Sequence, residues 1–186
     1  YDKYRGYIKK KKFIKNFKPT HKVKVLKTRI YKSNNFLPFS SSIEVLKIKD
    51  NYVMFKKNKW IKKKDITFIN KKEKNFIKIF KSYLNCRYKW GGKTFKGIDC
   101  SALIQIYYKF NNKFFPRDTI DQIKYKKGNI TKKKFKLGDI IYWKGHVGVC
   151  INSKELIHAY GPKKKVIIMP IKKTIKRIEE TANLKV

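Results

Sequence analysis

No run of about 18 apolar residues occurs, so nothing in the chain can cross a bilayer as a helix. Cysteine is scarce, with three residues in 186. That is too few for the disulfide framework of a small secreted scaffold. Only three histidines are present, and their placement relative to the cysteines lacks any zinc-ligand spacing. No signal peptide is visible and there is no initiator methionine. The chain opens inside the patterned text Tyr1-Asp2-Lys3-Tyr4-Arg5-Gly6-Tyr7-Ile8. We read it as a fragment whose true start is missing, which leaves targeting open.

Acidic side chains are scarce as well: 12 Asp and Glu against 50 Lys and Arg, a formal charge of +38. A nucleic-acid footprint would gather its lysines into a patch or stripe. Here they occupy nearly every polar position. Lys, Asn, Ile, Phe and Tyr, all specified by AT-rich codons, are enriched together, so the excess reads as compositional bias. No specific nucleic-acid partner is expected. Polyanion binding from such a charge would be nonspecific and salt-sensitive.

What is present is a glycine-rich turn that leads into a helix. Trp90-Gly91-Gly92-Lys93-Thr94-Phe95-Lys96-Gly97-Ile98-Asp99-Cys100-Ser101 is followed by Ala102, Leu103, Ile106, Tyr107 and Phe110, apolar at helical spacing. Asp99 is suited to cap that helix. Cys100 then lies in its first turn, where the helix dipole favours the thiolate, the nucleophilic form. Two histidines follow Cys100, in Gly145-His146-Val147-Gly148 and in Ile157-His158-Ala159. A cysteine, then a histidine, then a second polar residue on a neighbouring strand is the order of a papain-type site.

These segments resemble the NlpC/P60 family of bacterial cell-wall cysteine peptidases. The resemblance rests on Tyr88-x-Trp90-Gly91-Gly92, Asp99-Cys100-Ser101, Pro116-Arg117-Asp118, Gly138-Asp139 with Tyr142-Trp143, Gly145-His146-Val147-Gly148 and His158-Ala159, in that order over residues 75–175. It implies an α+β, papain-like domain with N-terminal helices packed on an antiparallel sheet. It also implies an endopeptidase that cuts the γ-D-glutamyl–diamino acid bond of murein peptides, with no cofactor and no metal. Cys100, His146 and His158 are then the catalytic set, and Tyr88 supports the oxyanion. Asp99 and Ser101 would bind the free amine of the stem peptide, and Tyr4 would border the pocket. Arg117 can hold a carboxylate in a bidentate fork, and that carboxylate could belong to the substrate or to the protein.

Three segments are expected. Residues 1–18 look like the tail of a truncated SH3-like domain, or a basic arm. Residues 19–69, with short alternating strands broken by Asn34-Asn35, Ser40-Ser41-Ser42, Asp50-Asn51 and Asn58, read as a small SH3-like β-barrel. Residues 70–186 form the peptidase domain. It should begin with a helix over 70–84 that presents Phe76, Ile77, Phe80, Tyr83 and Leu84, and end in a short helix within 172–186. His21 is expected to cap or pack, with no catalytic part. In the hairpin between the strands of His146 and His158, a loop of Asn152-Ser153-Lys154 would pair His158 with Gly148. The two imidazoles would then be diagonal neighbours on one face; a two- or four-residue loop would separate them.

The functional expectation is murein-peptide hydrolysis in recycling or turnover. A cytoplasmic location is favoured, with periplasmic or secreted locations open, and the oligomeric state is unknown. The alternatives are another thiol amidase or acyltransferase on the same fold, a wall-binding protein without catalysis, and a zinc site made from Cys100, His146 and His158.

Overall fold

The computed structural model describes residue 7, residues 18–125 and residues 134–183. Tyr4 and the SH3-like tail placed on residues 1–18, apart from Tyr7 and Lys18, lie outside the described residues, as does the turn at Lys126-Lys127-Gly128-Asn129. The chain divides into two compact units. One holds the described residues up to Lys74 together with Phe110–Asn112. The other holds Asn75–Lys109 and the described residues from Lys113 onward.

The first unit is built from β1 (His21–Val23), β2 (Lys27–Arg29), β3 (Phe36–Pro38), β4 (Ser42–Ile43), β5 (Lys47–Lys49), β6 (Tyr52–Lys56), β7 (Lys59–Lys62) and β8 (Ile66–Phe68). Val23, Ile30, Ile43, Val53, Ile61 and Ile66 form its core. Asp50 and Asn58 take left-handed φ values of 51° and 58° in the two tight hairpins of β5–β6–β7, where short polar residues tolerate that conformation. His21 packs on the Phe68 ring at 4.7 Å and bonds Thr20 through Nδ1. The expected barrel is not found. Among the described residues the strands fall into three separate sheets, β4-β1-β8, β2-β3 and β5-β6-β7. Such short strands, with a register shift between Met54 and Lys56, leave no continuous ladder to close one.

The second unit carries α1 (Phe76–Lys81), β9 (Lys93–Thr94), β10 (Gly97–Ile98), α2 (Cys100–Phe110), α3 (Thr119–Tyr125), β11 (Ile140–Trp143), β12 (His146–Cys150), β13 (Glu155–Tyr160), β14 (Lys165–Pro170) and α4 (Ile171–Ala182). The helix expected over 70–84 is shorter than its apolar stripe. Asn75 caps its start by accepting the Lys78 N–H, and Ser82 closes it. Tyr83 remains buried just past the helix end, and Asn85 turns the chain with φ 63°.

α3 was not visible in the sequence. Its polar Gln122 is fully buried while Ile120 and Ile123 face solvent, the reverse of an amphipathic stripe. The Asp118 carbonyl starts it by accepting from the N–H groups of Asp121 and Gln122.

β11, β12, β13 and β14 form one sheet in sequential order, every neighbour antiparallel. Period-two alternation divides its side chains. Ile141, Trp143, Cys150, Leu156 and Tyr160 form one cluster with Ile171 and Ile178 of α4. Val147, Val149, Ile157, Ala159 and Val166, on the opposite face, are buried too. Burial on both faces explains why these strands read as nearly unbroken apolar runs.

Phe115 is fully buried, with its ring stacked 4.1 Å from that of Tyr108 and its carbonyl accepting from Gln105 Nε2 at 3.0 Å. Phe115→Ala is expected to cost about 3–5 kcal/mol, read as a lower urea midpoint; an unchanged midpoint would show that this packing contributes nothing.

Candidate active site

The glycine turn delivers Cys100 through a set of close contacts. Gly91 takes φ 73°, and its N–H donates to Asp99 Oδ2 at 2.8 Å. A Cβ on Gly92 would stand 2.5 Å from the Gly97 carbonyl oxygen, so only glycine fits there. Asp99 Oδ1 accepts from the Ala102 N–H at 2.9 Å, which caps α2. The Ser101 hydroxyl donates to the same oxygen at 3.2 Å.

Arg117 completes this cluster. Its Nη1 donates to Asp99 Oδ1 at 3.0 Å and to Ser101 Oγ at 2.7 Å, and its Nη2 donates to Asp99 Oδ2 at 2.5 Å. Arg117 and Asp99 are both buried. Burial pulls the Arg117 pKa down, but its bonds and charge contact with Asp99 outweigh this and raise it overall. The fork is therefore spent inside the protein, on the two residues that flank Cys100. It is not free to clamp a substrate carboxylate.

Cys100 Sγ lies 4.0 Å from the Gly145 carbonyl oxygen, and the Val147 N–H is directed at the sulfur. The sulfur thus sits against the backbone on either side of His146. His146 Nε2 lies 2.9 Å from His158 Nδ1. The hairpin has the register that this pair requires. Val149 faces Ile157, Cys150 faces Leu156, and the Ile151 N–H bonds the Glu155 carbonyl, so the loop is Asn152-Ser153-Lys154. The Asn152 side chain holds it by accepting from the N–H groups of Lys154 and Glu155.

The bare side of Gly148 faces inward. A Cβ there would lie 3.1 Å from Leu156 Cδ1 and 3.5 Å from His158 Cβ. The missing side chain makes room for the histidine pair.

A cavity of about 260 Å³ opens beside the sulfur, lined by Tyr88, Trp90, Asp99, Cys100, Ser101 and Gly145 among others. Trp90 does not pack beneath the site. It stands at the rim, 86% exposed. Tyr88 shares the cavity, and burial first, then the neighbouring Cys100 and Asp99, push its phenol above the ordinary value.

The electrostatics differ from the thiolate expected at a helix start. Burial first, and then the Asp99 charge, push the Cys100 thiol up to about 11, although the N–H groups of Val147, Ser101 and Cys100 pull the other way. Burial pushes His146 down to about 4. Burial, then His146, push His158 down to about 3. Each group's surroundings favour a neutral thiol and neutral imidazoles, not a preformed ion pair.

Sequence reasoning missed several residues that position this set. Gln122 Nε2 donates to the carbonyls of Ser101 and Pro116. Tyr160 stacks on His158 at 4.7 Å. Met169 Sδ lies 3.3 Å from His158 Nε2. The even spacing of residues 156, 158 and 160 on one strand was the only available signal for Tyr160. None of the three cysteines is in a disulfide. Among the described residues no cluster of His, Cys, Asp and Glu could hold a metal ion, and no helix is long and apolar enough to cross a membrane.

A family model described as "NlpC/P60 family" matches residues 85–181, more than half of the chain, and the chain belongs to that family. It is 34% identical over 92 residues to a probable endopeptidase NlpC homolog from Haemophilus influenzae, covering 47% of this chain and 49% of that protein. It is 32% identical over 101 residues to a gamma-D-glutamyl-L-lysine dipeptidyl-peptidase from Bacillus subtilis, covering 50% of this chain and 34% of that one. The chain therefore spans half or less of the length of these curated relatives. Among solved structures, an NlpC/P60 family protein from Bacillus cereus superposes with a TM-score of 0.67 at 24% identity, over 82% of this chain and 58% of that chain. The papain-like fold, with its helices and antiparallel sheet, follows from these matches.

Two measurements check the electrostatics. With Cys86 replaced by Ser, alkylation of Cys100 by iodoacetamide should climb about tenfold per pH unit from pH 7 to 10, because only the thiolate reacts. A plateau through neutrality would mean a preformed thiolate. The histidines also couple folding to pH. Above pH 6.5 they are neutral whether folded or unfolded; below it the unfolded chain takes up protons that the buried rings refuse. Stability is therefore fully present above about 6.5 and falls as pH drops toward 4. The urea midpoint should follow that slope, and the slope should flatten in His158→Asn; equal slopes would place the acid sensitivity elsewhere.

Proposed function

We propose that this chain is a cysteine endopeptidase that hydrolyses the bond between γ-D-glutamate and the diamino acid of murein stem peptides. One observation carries the reading. The Cys100 sulfur, at a capped helix start and open to a cavity, rests against the Gly145–Val147 backbone, while the intervening His146 is hydrogen-bonded to His158. The name of the Bacillus subtilis relative supports the choice of bond.

The chemistry follows from two neutral partners. As the sulfur attacks the carbonyl carbon, the thiol proton passes to the free nitrogen of His146, so the sulfur becomes nucleophilic only as it reacts. The oxyanion is met by the Cys100 N–H and the Tyr88 hydroxyl. The C–N bond then breaks, the amine leaves with the proton from His146, and a thioester remains. Water attacks the thioester and gives its proton to His146, and the acid and the free thiol are released. His158 holds the His146 ring throughout.

Asp99 caps the helix and also lines the cavity, where with Ser101 it meets the free α-amine of the stem peptide. Its partner Arg117 offsets part of its charge, so this attraction is moderate. A free-amine requirement would place the enzyme in recycling of peptides already cut from glycan, and it favours a cytoplasmic site. Residues 19–69 are proposed as an SH3-like scaffold.

Cys100→Ala should abolish turnover of L-Ala-γ-D-Glu-diaminopimelate with an unchanged urea midpoint; retained turnover would sink the peptidase reading. The N-acetylated peptide should be cleaved at least about tenfold more slowly, for loss of one charged contact. Equal rates on the two peptides would remove the amine-binding role of Asp99 and Ser101.

A further inference from the structure

His158 is fully buried, and each of its ring nitrogens has one partner. Nδ1 lies 2.9 Å from His146 Nε2, and Nε2 lies 3.3 Å from Met169 Sδ. The sheet register sets the second contact. His158 pairs with Ile167 and Leu156 with Met169, so Met169 is a diagonal neighbour on the same face as His158. Tyr160, two residues along the strand, stacks on the imidazole at 4.7 Å with 13° between planes, which opposes a flip of the ring that would exchange the nitrogens.

A thioether sulfur can accept a hydrogen bond but has no proton to give. If His158 Nε2 were bare, a nitrogen lone pair would face sulfur lone pairs at 3.3 Å. With the proton on Nε2, the same contact is a weak hydrogen bond. A neutral imidazole carries one N–H, so Nδ1 must then accept. The donor to it is His146 Nε2–H. A neutral His146 whose proton sits on Nε2 has a bare Nδ1, which is the nitrogen left over to take a proton.

We propose that Met169 is a positioning residue whose sulfur ends a chain of hydrogen bonds, fixing the Nε2–H tautomer on both histidines and leaving His146 Nδ1 as the base. The link to catalysis rests on the peptidase reading above; the tautomer assignment does not. Both imidazoles have neutral partners. Charge developing on His146 during the reaction is therefore stabilised by a neutral ring, whose own proton points at sulfur.

The test begins with the unaltered, nitrogen-15-labelled chain at pH 7. Two-bond proton–nitrogen correlation spectra should show Nε2–H on both His146 and His158. An Nδ1–H form of His158 would overturn the proposal. Met169→Leu keeps the volume and removes the acceptor. It should give a mixture of His158 tautomers, with kcat on the murein peptide reduced about tenfold at unchanged KM. A leucine variant with wild-type tautomers and wild-type kcat would overturn the proposal too. The spectra need no substrate, so an unaltered chain that cleaves no murein peptide would sink the peptidase reading and still leave the tautomers to decide the role of Met169.

Discussion

The Asp99 carboxylate holds together segments that share no regular structure. Gly91, Ser101, Ala102 and both arms of Arg117 donate to it. Through these bonds the glycine turn, the start of α2 and the loop before α3 are fixed relative to the sulfur. A buried charge is tolerated only when paired. Arg117 supplies that pairing. The pair is a constraint on geometry first and only weakly a source of stability, since desolvating both ions offsets most of their attraction.

The second constraint is a matter of parity. His146 and His158 meet because a three-residue loop sets the hairpin register and because Gly148, between them, has no side chain. One residue more or fewer in that loop would turn His158 to the other face. Asn152 fixes the loop through bonds to its own backbone, so a short polar side chain at a surface turn decides whether two buried rings touch.

The site is close to neutral, although the chain carries a formal charge of +38. The thiol and both imidazoles are pushed toward their uncharged forms by burial, and Asp99 is balanced by Arg117. The expected helix-start effect on Cys100 is real in direction, since the N–H groups around the sulfur lower its pKa. Desolvation is larger and opposes it. Neutral groups avoid a standing buried ion pair. The same neutrality gives an acceptor as weak as a thioether a say in proton placement, because no carboxylate is there to overrule it.

The helix that begins at Cys100, its Asp99 cap, the loop length between the histidine strands and the family itself were legible in the sequence alone. Each depends on local spacing, and a cap, a helical stripe or a loop length acts over a few residues. The sequence left α3 unread, because its buried residue is polar and its exposed ones are apolar. It also implied a small barrel, whereas among the described residues the short strands of the first unit fall into three separate sheets. The partner of Arg117, the inward face of Gly148, the exposure of Trp90, and the contacts of Tyr160 and Met169 with His158 were settled only by tertiary structure. So was the protonation of the site, since the cost of charging a group depends on how much water the fold removes from it, and no pattern of neighbours along the chain records that.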